Sequence, residues 1–332
     1  MEYFSKFKEV KSELRYGEQQ THHTLSVVIP TYNKPESLKR AVKSAINQEK
    51  AGIDYNIVIV ENYEGDVSDT INMLSALENP NNIQIVYYQN EKNIGMQANW
   101  NRCFEMANAD YALMVHTDDY LLPFCLSYVK NSIKQNIQFL TINRYSYIVG
   151  DRKTEEEISQ AKNSTVEIII EKNIKFHQQK PIDIILGVVP VAPTGFLACK
   201  HTFVSRGGFC TKCHTWPADL ELSFELVNRG ELYFCQQKLI VKTEGDGNDG
   251  TNIKSTLPLI HSIREVLVEN THIVYPLSKV VINMRLASIS RSFKLAYDSQ
   301  IKDLFPRIYL NRYFKGLYAR IRQFYWNRLL AR

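Results

Sequence analysis

Two adjacent carboxylates, Asp118 and Asp119, directly follow an apolar segment that has the length of a buried strand, residues 111–115. Adjacent carboxylates repel each other, so this position favours a bound cation or a hydroxyl-rich ligand that compensates their charge. The alternative is an ordinary turn in which an aspartate caps the helix that follows. The pair by itself is compatible with both interpretations.

Short β-branched segments alternate with amphipathic segments through the first half of the chain. They predict buried strands over residues 25–30, 56–61, 83–87 and 111–115. The alternation predicts an α/β fold whose mostly parallel, Rossmann-like central sheet carries helices on both faces. Ligands of such sheets bind beyond the carboxyl ends of the strands. The residues at those ends are nearly all polar: Thr31–Asn33, Glu61–Asn62, Asn90–Gly95 and His116–Asp119.

Glycine-rich phosphate loops do not follow the predicted strands. Neither the dinucleotide fingerprint G-x-G-x-x-G nor the loop G-x-x-x-x-G-K-[ST] occurs after any of them. These absences argue against a dehydrogenase and against a P-loop nucleotidase.

The second half of the chain is more varied. Residues 150–180 are polar and charged, which predicts a surface insertion. A second α/β stretch follows, with a helix over residues 218–229 and strands near 232–234 and 239–241. Beyond the Gly/Asp-rich loop at residues 243–252, the pattern is helical to the end.

The six cysteines are scattered, and the N-terminal residues lack the apolar core of a signal peptide. We therefore expect a cytoplasmic chain with free thiols and no disulfide framework. Cys210-Thr-Lys-Cys213-His214 matches the spacing of haem attachment or of half a zinc site. Because no second pair accompanies it, a loop-packing role is favoured. No segment approaches the roughly 18 apolar residues of a spanning helix.

Several motifs together resemble the family 2 glycosyltransferases of GT-A fold, of the bacterial cell-surface polysaccharide type. The motifs are Ser26–Asn33, the strand-end acid Glu61, Asn93-x-Gly95 with Asn99 and Asn101, and Thr117-Asp-Asp119. The resemblance extends over residues 25–245, and its first half is the more specific because the motifs come in the family's order and spacing.

The resemblance implies a donor site and a metal. Asp119 would coordinate Mg²⁺ or Mn²⁺ on the donor diphosphate, where a hard cation stabilises the leaving group. Asp118 would face the ribose or the donor sugar. The remaining donor-binding residues would be Pro30, Thr31, Tyr32, Asn33, Glu61, Asn93, Gly95 and Asn99, with uracil as the expected base. Two positions depart from the family, since Glu61 stands where aspartate is commoner and His116 where many relatives have another acid.

An inverting transfer needs a general base opposite the leaving group. The resemblance extends to Trp216–Leu226, where the family carries an acidic acceptor-site motif on a helix, and it implies Asp219 as the base. Asp219 lies at the start of the predicted helix, whose dipole favours the ionised carboxylate. The same position suits plain helix capping, and Glu221 is the alternative base.

The C-terminal segment is basic and aromatic. After Asp303 the chain contains no acid, while seven basic residues alternate with tyrosine, phenylalanine and tryptophan. This composition predicts a helix on the anionic inner face of the cell membrane. The alternative is a helix that packs its aromatic face on the catalytic domain or on a second subunit. In the second case the protein would form a homo-oligomer.

Together these features predict an inverting, metal-dependent glycosyltransferase that moves a sugar, expected as a UDP-sugar, to a saccharide or lipid-linked saccharide. No nucleic-acid partner is expected. The predicted organisation is an N-terminal extension (1–24), a nucleotide-sugar-binding half (25–150), an acceptor-binding half (151–250) and a helical tail (251–332). The competing interpretations are a nucleotidyltransferase and a non-catalytic, membrane-associated sugar-nucleotide-binding scaffold.

Overall fold

The chain forms two compact units that interleave along the sequence. The structure, a computed structural model, describes residue 4 and residues 6–18, 21–49, 51–148, 151–168, 174–191, 193–212, 216–244, 253–270, 277–292 and 306–330. The first unit comprises residues 1–176, 192–211 and 233–246, and the second comprises residues 177–191, 212–232 and 247–332. This division groups residues that pack together in space, whereas the predicted boundaries at residues 150 and 250 separate donor-binding from acceptor-binding segments. Those boundaries therefore stay predictions.

The predicted β-branched segments form the parallel centre of a mixed sheet. The strands are β1 (Ser12–Tyr16), β2 (His23–Thr31), β3 (Tyr55–Glu61), β4 (Ile85–Asn90), β5 (Ala109–Met114), β6 (Tyr120–Leu121), β7 (Phe139–Ile148), β8 (His177–Gln178), β9 (Phe196–Cys199) and β10 (Leu232–Glu244). The order β1-β4-β3-β2-β5-β9-β7-β10-β6 places the parallel strands β4, β3, β2 and β5 side by side. Antiparallel pairs lie on both sides of them.

Helices cover both faces of the sheet, as predicted. They are α1 (Pro35–Ile46), α2 (Ser68–Ser75), α3 (Met96–Met106), α4 (Cys125–Lys134), α5 (Arg152–Ile168), α6 (Pro181–Ile185), α7 (Lys200–Ser205), α8 (Ala218–Asn228), α9 (Ile253–Glu269), α10 (Leu277–Ser292) and α11 (Arg312–Leu330). The apolar faces of α1 and α4 share one core with Val27 and Ile29 of β2. Helices α3 and α7 pack on the other face, where the rings of Phe104 and Phe203 lie 4.1 Å apart.

Two segments are more ordered than their composition suggested. The N-terminal extension contributes β1, which pairs antiparallel with β4, and buried Arg102 donates to the carbonyl oxygens of Phe7 and Val10 at 2.8 and 2.7 Å. The polar segment after residue 150, predicted as a surface insertion, contains α5. Its Ile158 is buried against Leu122 and Val241, and Ala161, three residues later on the same face of the helix, packs against the same cluster.

The second unit is mostly helical. A short 3-10 helix, Arg307–Leu310, precedes α11. Leu186, Val188, Met284 and Tyr318 form a small core. None of the helices within the described ranges is long and apolar enough to cross a bilayer.

The cysteines follow the expectation of free thiols as far as they are described. Cys103, Cys125, Cys210 and Cys235 are buried and Cys199 is partly buried, and none of these five described cysteines belongs to a disulfide. Cys213 and His214 lie outside the described residues, as do residues 245–252 of the Gly/Asp-rich loop.

Candidate functional site

The carboxyl ends of β2 and β3 lie side by side. Thr31, the last residue of β2, is in register with Glu61, the last residue of β3. The turn after β2 therefore starts next to the turn after β3, as the strand pattern predicted. The hydroxyl of Thr117 donates to the carbonyl oxygen of Pro30 at 2.6 Å, which ties the turn before Asp118 to the same edge.

Glu61 organises the turns around it. Its Oε1 accepts the backbone N–H groups of Asn33 at 3.1 Å and of Tyr63 at 3.0 Å, and its Oε2 accepts the hydroxyl of Tyr87 at 3.2 Å. Burial raises the pKa of Glu61, and these hydrogen bonds oppose the rise. Glu61 stays a predicted donor-binding residue, and its contacts in the structure support the backbone on which Tyr32 lies.

Two tyrosines form an aromatic edge at this place. Tyr32 is 51% exposed, and its ring meets that of Tyr63 edge to face, with centroids 5.7 Å apart. Exposed aromatic rings supply flat apolar surfaces on which a nucleobase can stack. Tyr63 was absent from the sequence prediction, although its position two residues after a strand end was a signal for it.

An asparagine network joins the turns after β3 and β4. Asn90 donates to the side-chain oxygens of Asn62 and Asn99, at 3.1 and 2.9 Å, and Asn62 donates to Asn93 at 2.7 Å. Asn99 is buried and donates to the carbonyl oxygen of Val60 at 3.1 Å, so it holds the strand end in place. The predicted donor residues Asn93 and Asn99 are thus brought together.

Gly95 begins α3 with a backbone conformation that favours glycine. Its φ is +86°, and a Cβ there would meet no atom within 4 Å. Its N–H donates to the side chain of Asn93 at 2.9 Å. The positive φ favours glycine at this position. The open space beside Gly95 is compatible with its predicted place in the donor site.

The two adjacent aspartates differ in their surroundings. Asp119 is only 3% exposed; its Oδ2 accepts the hydroxyl of Thr194 at 2.6 Å and its Oδ1 accepts the N–H of Thr243 at 3.0 Å. Burial raises the pKa of Asp119 to about 6, against the lowering effect of these hydrogen bonds. Asp119 connects the turn to two distant segments of the first unit.

Asp118 is the outward carboxylate, with a side chain 31% exposed. Both of its oxygens accept the ammonium group of Lys34, at 3.2 and 3.0 Å. Arg40 donates to the carbonyl oxygen of Asp118 at 2.6 Å while its guanidinium lies over the ring of Tyr120. Two cationic side chains from the start of α1 therefore surround Asp118, and sequence reasoning named neither of them.

His116 occupies the position where many relatives have an acid. Its ring lies tilted against that of Trp100, with centroids 5.3 Å apart, and burial lowers its pKa to about 4. Its Nε2 is buried with no hydrogen-bond partner in the structure. The imidazole is therefore neutral at pH 7 and adds no charge next to the aspartates.

The donor set suits a cation that arrives with its substrate. Among the described residues, no group of three or more His, Cys, Asp or Glu side chains is arranged to hold a metal ion. Asp118 offers outward carboxylate oxygens, and Mg²⁺ in proteins commonly has one or two carboxylates with substrate phosphates and water as the other ligands. The residues present therefore fit a cation shared with a diphosphate. The hydrogen bonds of Asp119 favour Asp118 as the direct ligand, and the assignment of Asp119 stays a prediction.

Asp219 belongs to the second unit, in the first turn of α8, as predicted. Its Oδ1 accepts the N–H of Leu220 at 2.9 Å. The alternative base, Glu221, accepts the indole N–H of Trp216 at 2.7 Å and lies 3.7 Å from the ammonium of Lys212. Two partners therefore hold Glu221, and Asp219 stays the predicted base.

Comparison with known proteins agrees with this architecture. The model of the family described as glycosyl transferase family 2 matches residues 26–200, more than half of the chain. The chain belongs to glycosyl transferase family 2.

Its curated relatives are family 2 enzymes of bacterial surfaces. A poly(ribitol-phosphate) β-N-acetylglucosaminyltransferase, TarP of Staphylococcus aureus, is 27% identical over 151 residues, which is 45% of each chain. The abequosyltransferase RfbV of Salmonella typhimurium is 36% identical over 97 residues, 29% of this chain and 28% of that one. The chain thus aligns with less than half of the length of these relatives.

Solved structures share the fold. The crystal structure of residues 1–349 of S. aureus TarS has a TM-score of 0.57 at 14% identity and covers 85% of this chain and 77% of that one. The same protein was solved in complex with UDP. The likeness confirms the predicted GT-A architecture with its mixed sheet and C-terminal helices.

Proposed function

We propose that this family 2 member is an inverting glycosyltransferase that moves a sugar from a UDP-sugar to a saccharide or lipid-linked acceptor in cell-surface polysaccharide assembly. The observation that carries the proposal is the outward carboxylate of Asp118 at the carboxyl edge of the parallel strands, with the exposed ring of Tyr32 on the same edge. Ligands of such sheets bind at this edge. The names of the relatives TarP and RfbV, both sugar transferases, support the reaction class.

Each part of the edge has a task in donor binding. Tyr32 and Tyr63 offer stacking surfaces to the uracil ring, and Glu61 holds the backbone of both turns in place. Lys34 and Arg40 bring positive charge to the place where the diphosphate leaves. Positioned cations of this kind stabilise the charge that develops on the leaving group.

Asp118 and Asp119 would hold a divalent cation, Mn²⁺ or Mg²⁺, together with the donor diphosphate, with Asp118 as the outward oxygen ligand and the hydrogen bonds of Asp119 keeping the turn in position. The cation supplies Lewis-acid stabilisation of the departing diphosphate. Asp219 accepts the proton of the acceptor hydroxyl as that oxygen attacks the anomeric carbon, while the sugar–phosphate bond breaks on the opposite side. The ionised form of Asp219 suits this role, because it lies in the first turn of α8.

A panel of nucleotide-sugars tests the donor assignment. The full chain is heated with UDP-, GDP- and CDP-sugars in Mn²⁺, in Mg²⁺ or in excess chelator, and the unfolding temperature is recorded. A bound donor at a hundredfold excess over its dissociation constant stabilises a protein by about 2.7 kcal/mol. We expect UDP-sugars with metal to give the largest rise, Asp118→Asn to abolish it, and Asp110→Asn, an exposed control on β5 ahead of the turn that carries Asp118, to retain it. No rise with any nucleotide-sugar contradicts the proposal, and an equal rise in chelator contradicts the metal.

We also propose that the tail binds the anionic inner face of the cell membrane, but with fewer residues than its composition suggested. Helix α11 packs one side within the second unit, where Phe314, Tyr318, Tyr325 and Trp326 join the small core. The packing alternative therefore holds for these aromatic side chains. Tyr313 and Phe324 remain exposed, by 70% and 61%.

The exposed side of α11 is suited to an anionic lipid surface. Tyr313, Arg320 and Phe324 are spaced seven and four residues apart, which places them on one stripe of a helix. No acid occurs after Asp303, so no acidic side chain within α11 offsets the positive charge of this stripe. Basic residues contribute about 1 kcal/mol each near such a surface.

Vesicle co-sedimentation across a salt series tests the tail. Tyr313→Ser with Phe324→Ser should reduce the binding to phosphatidylserine vesicles that survives at high salt, and Arg320→Gln should reduce it at low salt. Arg264→Gln, an exposed change on α9, is the matched control. Point substitutions are used because a truncation after Asp303 would remove Tyr318 and its neighbours from the core of the second unit. Equal sedimentation of all variants contradicts the membrane role.

A further inference from the structure

Three arginines surround one buried tyrosine in the second unit. The hydroxyl of Tyr318 donates to the carbonyl oxygen of Leu186 at 2.8 Å. The Cζ atom of Arg322 lies 5.9 Å from the centroid of the Tyr318 ring. Burial raises the pKa of Tyr318, and the charges of Arg285, Arg322 and Arg291 oppose that rise. Such a concentration of like charge is unusual in a small core.

Two of these guanidinium groups meet at Gly187. Arg322 donates to the carbonyl oxygen of Gly187 at 2.6 Å. A Cβ on Gly187 would lie 3.6 Å from the Cζ and Nε atoms of Arg285. The absence of a side chain at Gly187 therefore leaves room beside the guanidinium of Arg285.

Arg285 has donor capacity that the protein does not use. Its Nη1 is buried and has no hydrogen-bond partner among the residues that the structure describes. An unmade hydrogen bond from a buried charged donor is strongly unfavourable unless a ligand completes it. Burial lowers the pKa of Arg285, and Arg322 lowers it further.

The balancing acid near this cluster is the proposed base. Helix α6 packs against α8, which carries Asp219, and against α10, which carries Arg285. The charge of Asp219 raises the pKa of Arg285. Neither Arg285 nor Arg322 belongs to an ion pair among the described residues. The two guanidinium groups therefore supply positive charge within the same group of packed helices as Asp219.

We infer that Arg285 and Arg322 bind a phosphate group of the acceptor and so present its neighbouring hydroxyl to Asp219. The inference rests on the proposed function and narrows it to acceptors that carry a phosphate, as a polyol phosphate or a lipid diphosphate does. Guanidinium groups match phosphate oxygens in bidentate geometry, and two of them converge on the backbone at Gly187. The orphaned Nη1 of Arg285 is the donor that the phosphate would satisfy.

The test uses glycerol 3-phosphate as the probe, titrated into the full chain by calorimetry at constant ionic strength. Arg322→Gln should weaken its binding roughly tenfold, the expected loss for one charge-assisted pair. Arg320→Gln, the same charge change on the exposed side of α11, should change it by less than about twofold. Arg285→Gln should abolish binding. Because Arg285 is buried, this substitution can also unfold the second unit, so the fold of the variant is checked by circular dichroism. If the variant is unfolded, the result with Arg322→Gln decides the outcome.

Two further arms separate the sources of phosphate. If UDP displaces the probe, the site belongs to the donor and the acceptor assignment is overturned. If phosphatidylglycerol vesicles compete for the site while glycerol 3-phosphate does not bind, the partner is a lipid headgroup and the assignment is again overturned. Equal affinity of the wild type and Arg322→Gln for the probe also overturns it. Thermal stabilisation by UDP-sugars is measured on the same variants and should be unchanged. If UDP-sugars fail to stabilise the wild type, the proposed function fails, whereas loss of probe binding with donor stabilisation retained concerns the acceptor site alone.

Discussion

Replacing Asp119 by asparagine should stabilise the protein at neutral pH while removing its activity. Asparagine keeps an oxygen for the N–H of Thr243 and presents an amide to the hydroxyl oxygen of Thr194, so the two existing contacts can be retained. What it removes is the buried negative charge. The fold should therefore survive the substitution, and the loss of activity reports the role of the carboxylate.

The magnitude follows from the raised pKa. Burial lifts the pKa of Asp119 from its ordinary value of 3.8 to about 6. At about 1.4 kcal/mol for each pH unit, the ionised form costs the folded state about 3 kcal/mol. A raised pKa of an acid contributes stability that is fully present below pH 3.8 and is lost as the pH rises through 6. Asparagine does not undergo this loss.

The measurement is urea unfolding of the wild type and of Asp119→Asn at pH 5.0, 6.0 and 7.5. The free energy of unfolding of the variant minus that of the wild type should increase by about 1.4 kcal/mol from pH 5.0 to pH 7.5. With Asp119 kept, Thr194→Val should move the loss of stability that accompanies ionisation of Asp119 to higher pH, because the Thr194 hydroxyl lowers the pKa of Asp119. A difference that is the same at all three pH values refutes the reasoning.

Other substitutions test the remaining assignments. Asp219→Asn should lower kcat and leave the dissociation constant of the donor unchanged in single-turnover and binding assays; if donor affinity falls and turnover persists, Glu221 becomes the better candidate. Lys34→Met should tighten Mn²⁺ binding in the absence of donor, measured by electron paramagnetic resonance, because the ammonium no longer occupies both oxygens of Asp118; unchanged Mn²⁺ affinity argues against Asp118 as the ligand. Asn99→Leu should lower the free energy of unfolding by about 2 kcal/mol, since its buried partners lose their hydrogen bonds, and an unaltered urea midpoint contradicts that role.

The alternation of strands and helices was readable from the sequence because it depends on local properties. β2, β3, β4 and β5 consist largely of residues that suit buried strands, and their order along the chain leads to parallel pairing. The polar residues at the strand ends then point to the ligand edge by a general rule of α/β sheets. The fold class and the enzyme family were therefore predicted, and both are confirmed.

The arrangement of the charged side chains was decided only by the tertiary structure. Asp118 and Asp119 are neighbours in sequence, yet one is outward beside Lys34 and the other is buried against residues 75 and 124 positions away. The tail differs in the same way, since its composition does not tell Tyr318, packed in the core, from Tyr313, which is exposed. Burial and pairing depend on partners that are distant along the chain, and no periodicity within one segment contains that information.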